Sequence, residues 1–328
     1  MLINRTVTTR QSEHIDWKAL TEVDQETLEE VIFSMDGGST DRVEVEIKCI
    51  KPGANGWKFH QFVDTIYEYF PTYVLPPDVR EETAPSRWFR KARKKAAPNK
   101  NFESGGVVSE FLLYLFTEVY LDAPLAAHRL YELDSRNQEK KGSDGIFVGR
   151  YRGEECLYVG EAKFYDSIAS AIEDAFTSIS EFHTRGVNER MERELDIAST
   201  DFAEKTDTLS PSDVEELSSR LTSHAHEDYK IVHPLFLGHK TERLAWYPNP
   251  GSETLDFGPD SSPKIQQIEN ELEKSLKEIP YLKRREEKAS ELGPARGTVE
   301  MVFFPFPVHD TTEFKKMLYE GLFDPENV

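Results

Sequence analysis

The sequence predicts an α/β protein built on a mixed sheet flanked by helices, with a small α+β unit ahead of it and a helical insertion within it. Two observations predict this. A strongly apolar helical pattern over residues 105–121 is followed by three short strand-like runs and a second amphipathic helix. Further along, residues 231–237 and 299–306 read as buried strands, so helices and strands alternate as they do in α/β folds. At 328 residues with 38% hydrophobic content, the chain can bury a sizeable core.

The elements follow in chain order. Residues 42–50, RVEVEIKCI, alternate polar and apolar side chains as a half-buried strand, with Asp36-Gly37-Gly38 before them as a turn signal. Phe59, Phe62, Val63, Ile66, Tyr67 and Phe70 then recur at helical spacing, and Pro71, Pro76 and Pro77 are expected to end that helix. These segments make up an N-terminal α+β unit over residues 1–100, to which a partner-docking role is assigned. Residues 101–328 form the second domain.

In that second domain Val108, Phe111, Leu112, Leu115, Phe116 and Val119 mark one helix. Strand-like runs follow at residues 125–133, 144–151 and 156–161, and Ile168, Ile172, Ala175, Phe176 and Ile179 mark the next helix. Residues 185–225 are rich in Glu, Arg, Ser and Thr and read as an exposed helical insertion. Residues 265–279 predict a further helix, and Phe314 to Leu318 a C-terminal one.

Composition excludes several classes of function. No run approaches the roughly 18 apolar residues of a membrane span, and the polar start MLINRTVTTRQSEH has no signal-peptide core, so a cytoplasmic protein is expected. Cys49 and Cys156 lack the spacing of a zinc site or a disulfide framework. Neither a P-loop, a G-x-S-x-G elbow nor a dinucleotide fingerprint occurs. His224, His226, His233 and His239 surround one strand without a Cys pair or an H-E-x-x-H motif, which favours packed or singly exposed histidines over a metal site. A formal charge of −20 repels nucleic acid unless cations are gathered locally. One such gathering exists: RWFRKARKKAAPNK over residues 87–100 reads as a solvated segment leading to a linker, a phosphate contact or a dock for an acidic partner.

The chemistry rests on Glu161 and Lys163. Glu-x-Lys also occurs at Glu46, Glu139, Glu286 and Glu313, so context decides. Glu46 with Lys48 is the serious decoy, read as a solvent-facing salt pair because Asp41 is too close in sequence to begin a neighbouring strand. Glu161 ends a buried strand, and Arg152-Gly153 is a two-residue hairpin turn behind it. The implied register pairs Val148 with Leu157, Ile146 with Val159 and Phe147 with Tyr158, and sets Asp144 opposite Glu161. Lys163 lies two residues further along the same face, roughly 6.6 Å away at about 3.3 Å per residue.

Two facing carboxylates repel unless a cation or proton lies between them. Mg²⁺, or Mn²⁺ in its place, removes that cost, suits oxygen ligands and activates water for phosphodiester hydrolysis, with Lys163 orienting the water or stabilising developing charge. This is a PD-(D/E)xK-type nuclease site on a restriction-endonuclease-like core, with Asp144 and Glu161 as metal ligands. Glu110, on the preceding helix, is the natural fourth acid. It either completes the metal shell or faces solvent, since it points away from the apolar stripe.

Residues 102–183 resemble the C-terminal domain of HamA, the nuclease subunit of the Hachiman antiphage defence system. The resemblance lies in Ser109-Glu110-Phe111-Leu112-Leu113-Tyr114, Lys141-Gly142-Ser143-Asp144 and Gly160-Glu161-Ala162-Lys163-Phe164-Tyr165. It implies a DNA nuclease restrained by a helicase partner, HamB, in a heterodimer, with Asp144 and Glu161 as metal ligands, Lys163 as catalytic lysine and Glu110 as the helix acid. Ser143 stands where the wider superfamily often has Pro. A helicase that delivers DNA would also relieve the charge problem. The other readings are a stand-alone restriction or repair nuclease, and a degenerate nuclease fold used for assembly or DNA sensing.

Overall fold

The computed structural model describes residues 15–53, 56–96, 106–127, 143–184, 230–244, 270 and 300–323. Seven strands form one mixed sheet in the order β1-β2-β9-β8-β7-β6-β5. They are β1 (Ile32–Ser39), β2 (Val43–Ile50), β5 (Leu125–Ala127), β6 (Gly145–Tyr151), β7 (Glu154–Tyr165), β8 (Lys230–Lys240) and β9 (Glu300–Val308). Two short strands, β3 (Pro52–Gly53) and β4 (Gly56–Trp57), pair separately. The centre, β2-β9-β8-β7, is parallel, while β1, β6 and β5 add antiparallel edges. Strands from residues 1–100 and from residues after 101 therefore share one sheet.

The predicted strands at residues 42–50, 231–237 and 299–306 are all present. The strand expected over residues 125–133 is described only as far as Ala127. The insertion at 185–225, the helix at 265–279 apart from residue 270, which is helical, Glu139 and Glu286, and His224 and His226 lie outside the described residues.

Two local expectations need correction. Asp36-Gly37-Gly38 is not the turn, because it belongs to β1 at an irregularity in its pairing with β2. A Cβ on Gly37 would come within 2.5 Å of Val45 Cγ1, so glycine serves close approach there. The reversal is one step later, where Thr40 N donates to Val43 O at 2.7 Å. Next, Pro71 does not end its helix: α2 (Phe59–Val74) runs through it. Pro71 has no N–H to give to Tyr67 O, but burial of Phe70, Tyr73 and Val74 against the core outweighs that single bond. The linker expected after the basic segment lies outside the described residues, but the segment itself is described as far as Ala96. After α1 (Gln25–Glu29) and α3 (Pro77–Glu81), it forms α4 (Trp88–Ala96), packed on α2.

Alternation along the strands sorts the core into two faces. Tyr158, Ala162, Phe164, Phe236, Phe304 and Phe306 meet α2, α5 (Gly106–Leu121) and α7 (Thr311–Phe323) on one side. Val45, Ile47, Leu235, Leu237, Met301 and Phe303 meet α6 (Ile168–Thr184) on the other. Helix α5 is enclosed almost all round, from Val107 to Val119. No helix among the described residues is long and apolar enough to cross a membrane.

Close packing makes one glycine a sensitive probe. A Cβ on Gly238 of β8 would lie 2.6 Å from Cδ2 of the Phe164 ring, and the ring atoms nearest it include Cγ, which cannot swing away. Gly238→Ala is expected to destabilise the protein by about 1–3 kcal/mol, as overpacking does. Thermal melting checks this, and an unchanged midpoint would mean that β8 and Phe164 are less tightly packed than the geometry indicates.

Candidate functional site

The site hangs on the β6–β7 hairpin. Its ladder runs from Tyr151↔Glu154 through Val148↔Leu157 and Ile146↔Val159 to Gly145↔Gly160, the register read from the sequence. The turn has φ of 51° at Arg152 and 85° at Gly153, the paired positive values of a type I′ hairpin. Arg152 is not a residue that favours this region, but its guanidinium donates to Asp41 O at 2.8 Å and Thr40 O at 3.1 Å, which ties the turn to the β1–β2 corner.

At the other end of the hairpin, Asp144 N donates to Gly160 O at 3.1 Å, and the Asp144 carboxylate accepts from Ala162 N at 2.9 Å. These two bonds bracket Glu161 and fix the buried Asp144 side chain beside it. Leu157, Val159, Glu161 and Lys163 share the face towards α6, while Cys156, Tyr158, Ala162 and Phe164 enter the opposite core.

Lys163 Nζ lies 2.5 Å from Glu161 Oε1 and 3.5 Å from Asp174 Oδ2 on α6. Tyr165 Oη donates to the same Asp174 oxygen at 2.8 Å, and Ser178, one helical turn on, is near enough to Glu161 to favour its charged form. Burial pushes the Glu161 carboxyl up to about 7, and the adjacent Asp144 adds to the rise, while Lys163 and Ser178 counter it in part. Burial pulls the Lys163 ammonium down, but Glu161, Asp144 and Asp174 outweigh it and hold it above the ordinary lysine value. The three acids and one lysine are thus short of positive charge. That is the condition in which a carboxylate pair takes up a proton or a cation.

Asp144, Glu161 and Lys163 are therefore brought together. Glu110 sits on α5 one turn before Leu113, whose methyl would be 2.8 Å from a Cβ on Gly160, the residue next to Glu161. Of the two readings of Glu110, exposure to solvent does not hold, because its side chain is buried. Among the described residues no group of three or more His, Cys, Asp or Glu could hold a metal ion.

Sequence reasoning missed Asp174 and Ser178. Their signal was a pair of polar residues at i, i+4 bordering the apolar stripe of α6. The decoy also changes character. Glu46 and Lys48 do form a pair, at 2.8 Å, but Lys48 is buried instead of facing solvent, with Nζ 3.3 Å from the centre of the Tyr120 ring. His233 and His239 are buried, each with Nδ1 against a backbone carbonyl. Both cysteines are buried and unbridged.

Comparison with protein families extends the resemblance well beyond the motifs that first carried it, since the HamA model matches residues 23–322. The chain belongs to the HamA family. HamA membership places it in Hachiman antiphage defence. The match includes β1, β2 and α2, so the HamA unit extends into the N-terminal segment. No curated protein matches the sequence.

Proposed function

We propose that this chain is a metal-dependent DNA nuclease, the effector of a Hachiman complex, with a HamB-like helicase as its partner. The observation that carries the reading is the juxtaposition of Asp144 and Glu161 with Lys163 at the open end of the hairpin, where burial raises the proton affinity of Glu161 to about 7. The element order supports it: α5, three antiparallel strands, α6 and a returning parallel strand match the arrangement expected of a PD-(D/E)xK core.

The donor set fits Mg²⁺ or Mn²⁺, being two oxygen acids beside a backbone carbonyl at Ala162. A divalent ion bound there would polarise the phosphoryl oxygen and lower the pKa of a water. Asp144 and Glu161 would hold it, and Lys163 would stabilise charge developing on the phosphate or orient the attacking water. Asp174 keeps the Lys163 ammonium on the site side of β7. Glu110, buried on α5, would be the fourth acid. The net charge of −20 supports delivery of DNA by a partner, because the whole-chain field opposes unaided capture.

Thermal melting with and without millimolar Mg²⁺ or Mn²⁺ tests the site, because a ligand bound only by the folded state raises the midpoint. A rise is expected in wild type and none in Asp144→Asn. No rise in wild type would overturn the reading in favour of a sheet used for assembly or DNA sensing. The metal-free protein should also show a pH signature. The Glu161 carboxyl is raised, so its folded form keeps its proton between about 4.5, the ordinary value, and about 7. Its contribution to stability is full below that window and is lost as pH rises through it. Glu161→Gln should flatten this slope, and an equal slope in both proteins would show that Glu161 is charged throughout.

A further inference from the structure

Helix α4 carries a feature that the hairpin site does not use. Its inner side is fixed to the fold. Trp88 Nε1 donates to Arg80 O at 3.1 Å and Thr83 O at 2.8 Å, Phe89 stacks on Tyr67 at 4.1 Å, Arg93 donates to the Tyr67 hydroxyl, and Ala92 and Ala96 are buried. Its outer side exposes Arg90, Lys91 and Lys94, and Arg87 in the 3-10 turn just before it is exposed too, so that the four recur at i, i+3, i+4 and i+7 in one stripe roughly 10 Å long at 1.5 Å per residue.

The chain has 60 acidic residues against 40 Lys and Arg, yet among the described residues no carboxylate pairs with any of these four. Among the described residues, the stripe's polar contact is from Lys91 to the neutral Thr83 hydroxyl, at 3.0 Å. A cationic stripe held rigid and left unneutralised on an acidic protein keeps its field for an external polyanion.

We propose that α4 is a docking surface for the phosphodiester backbone of a nucleic acid, an inference that takes its substrate class from the proposed function. The regular spacing meets a polymer carrying one charge per roughly 1.7 Å of duplex axis, and guanidinium groups grip phosphate oxygens two at a time. Helix α4 packs on α2, in the layer across the sheet from α6, so its cations lie away from Glu161 and Lys163. It holds the nucleic acid and takes no part in the bond cleavage.

The test compares full-length wild type with Arg87→Gln/Arg90→Gln/Lys91→Gln/Lys94→Gln in binding labelled duplex and single-stranded DNA, followed by anisotropy between about 50 and 200 mM salt. Wild type is expected to bind at low salt, and the variant to bind at least about tenfold more weakly. The slope of log affinity against log salt should become shallower by about 3, the release expected for four lost phosphate contacts. The melting temperature and its metal-induced rise should match wild type, which separates lost binding from lost folding.

Equal affinity and slope in the two proteins, or no binding by wild type at the lowest salt, would overturn the inference. Weakened binding by the variant with no metal effect in either protein would uphold α4 and refute the proposed metal site. The two readings can therefore fail independently.

Discussion

Lys163→Ala is expected to abolish metal-dependent DNA cleavage, with a loss of at least about 10²-fold in single-turnover rate, the scale found when one preorganised charge is removed from a transition state. The side chain contributes charge more than packing. Its ammonium meets Glu161 at 2.5 Å and Asp174 at 3.5 Å, and its neighbours hold it protonated throughout the working pH range. Removal leaves Glu161 beside Asp144 with no nearby cation, so the metal-free carboxyl should retain its proton to higher pH. Folding should survive, because α6 remains anchored through Ala171, Ile172, Ala175 and Phe176. Lys163→Arg keeps the charge but replaces a compact ammonium with a planar fork, and should recover only part of the rate. Cleavage of plasmid and linear DNA, with the helicase partner present, is the measurement. An alanine variant as active as wild type would remove Lys163 from the chemistry. The other Glu-x-Lys would not inherit the role, since Lys48 is sealed beneath Tyr120.

How much of this was legible depended on whether the deciding contacts were local. The hairpin register was readable because two constraints agreed: Arg152-Gly153 at the turn and hydrophobic alternation on both faces of β6 and β7. A slip of one residue would have reversed every side chain. Asp174 and Ser178 come from α6, and no strand pattern reveals which helical turn will rest over Lys163. The solvent-facing reading of Glu110 fails for a related reason. The rule that one stripe of a helix is buried assumes solvent on the far side, whereas α5 is enclosed almost all round. Gly37 and Gly38 mimicked a turn because glycine also marks places where a strand passes close to a neighbouring side chain, as Gly37 does at Val45, or where its backbone takes a positive φ, as Gly38 does at 96°. Pro71 was read as a stop although its helix gains more from burying Phe70 and Tyr73 than it loses in one hydrogen bond.

The buried pair on β2 gives an asymmetric prediction. Glu46→Gln should destabilise the protein by about 3 kcal/mol, whereas Lys48→Met should cost less than about 1 kcal/mol or even stabilise it. Burial already pulls the Lys48 ammonium down, and the Glu46 carboxylate is the largest influence opposing that. Neutralising Glu46 leaves a charge enclosed with only the Ser34 hydroxyl, at 3.2 Å, and the face of Tyr120 as partners. Neutralising Lys48 instead leaves Glu46, whose side chain is 33% exposed, free to be hydrated, while methionine fills the space of the lysine stem. The sign with pH follows from the lowered folded pKa. The folded protein releases the Lys48 proton at lower pH than the unfolded chain, so stability gains as pH rises from that folded value towards 10.5, the ordinary lysine value. The deficit of Glu46→Gln should therefore narrow in alkaline solution. Denaturant titrations of both variants at neutral and alkaline pH read this directly. Equal costs for the two substitutions would mean that the pair acts as an exposed salt bridge, the reading that the sequence alone favoured.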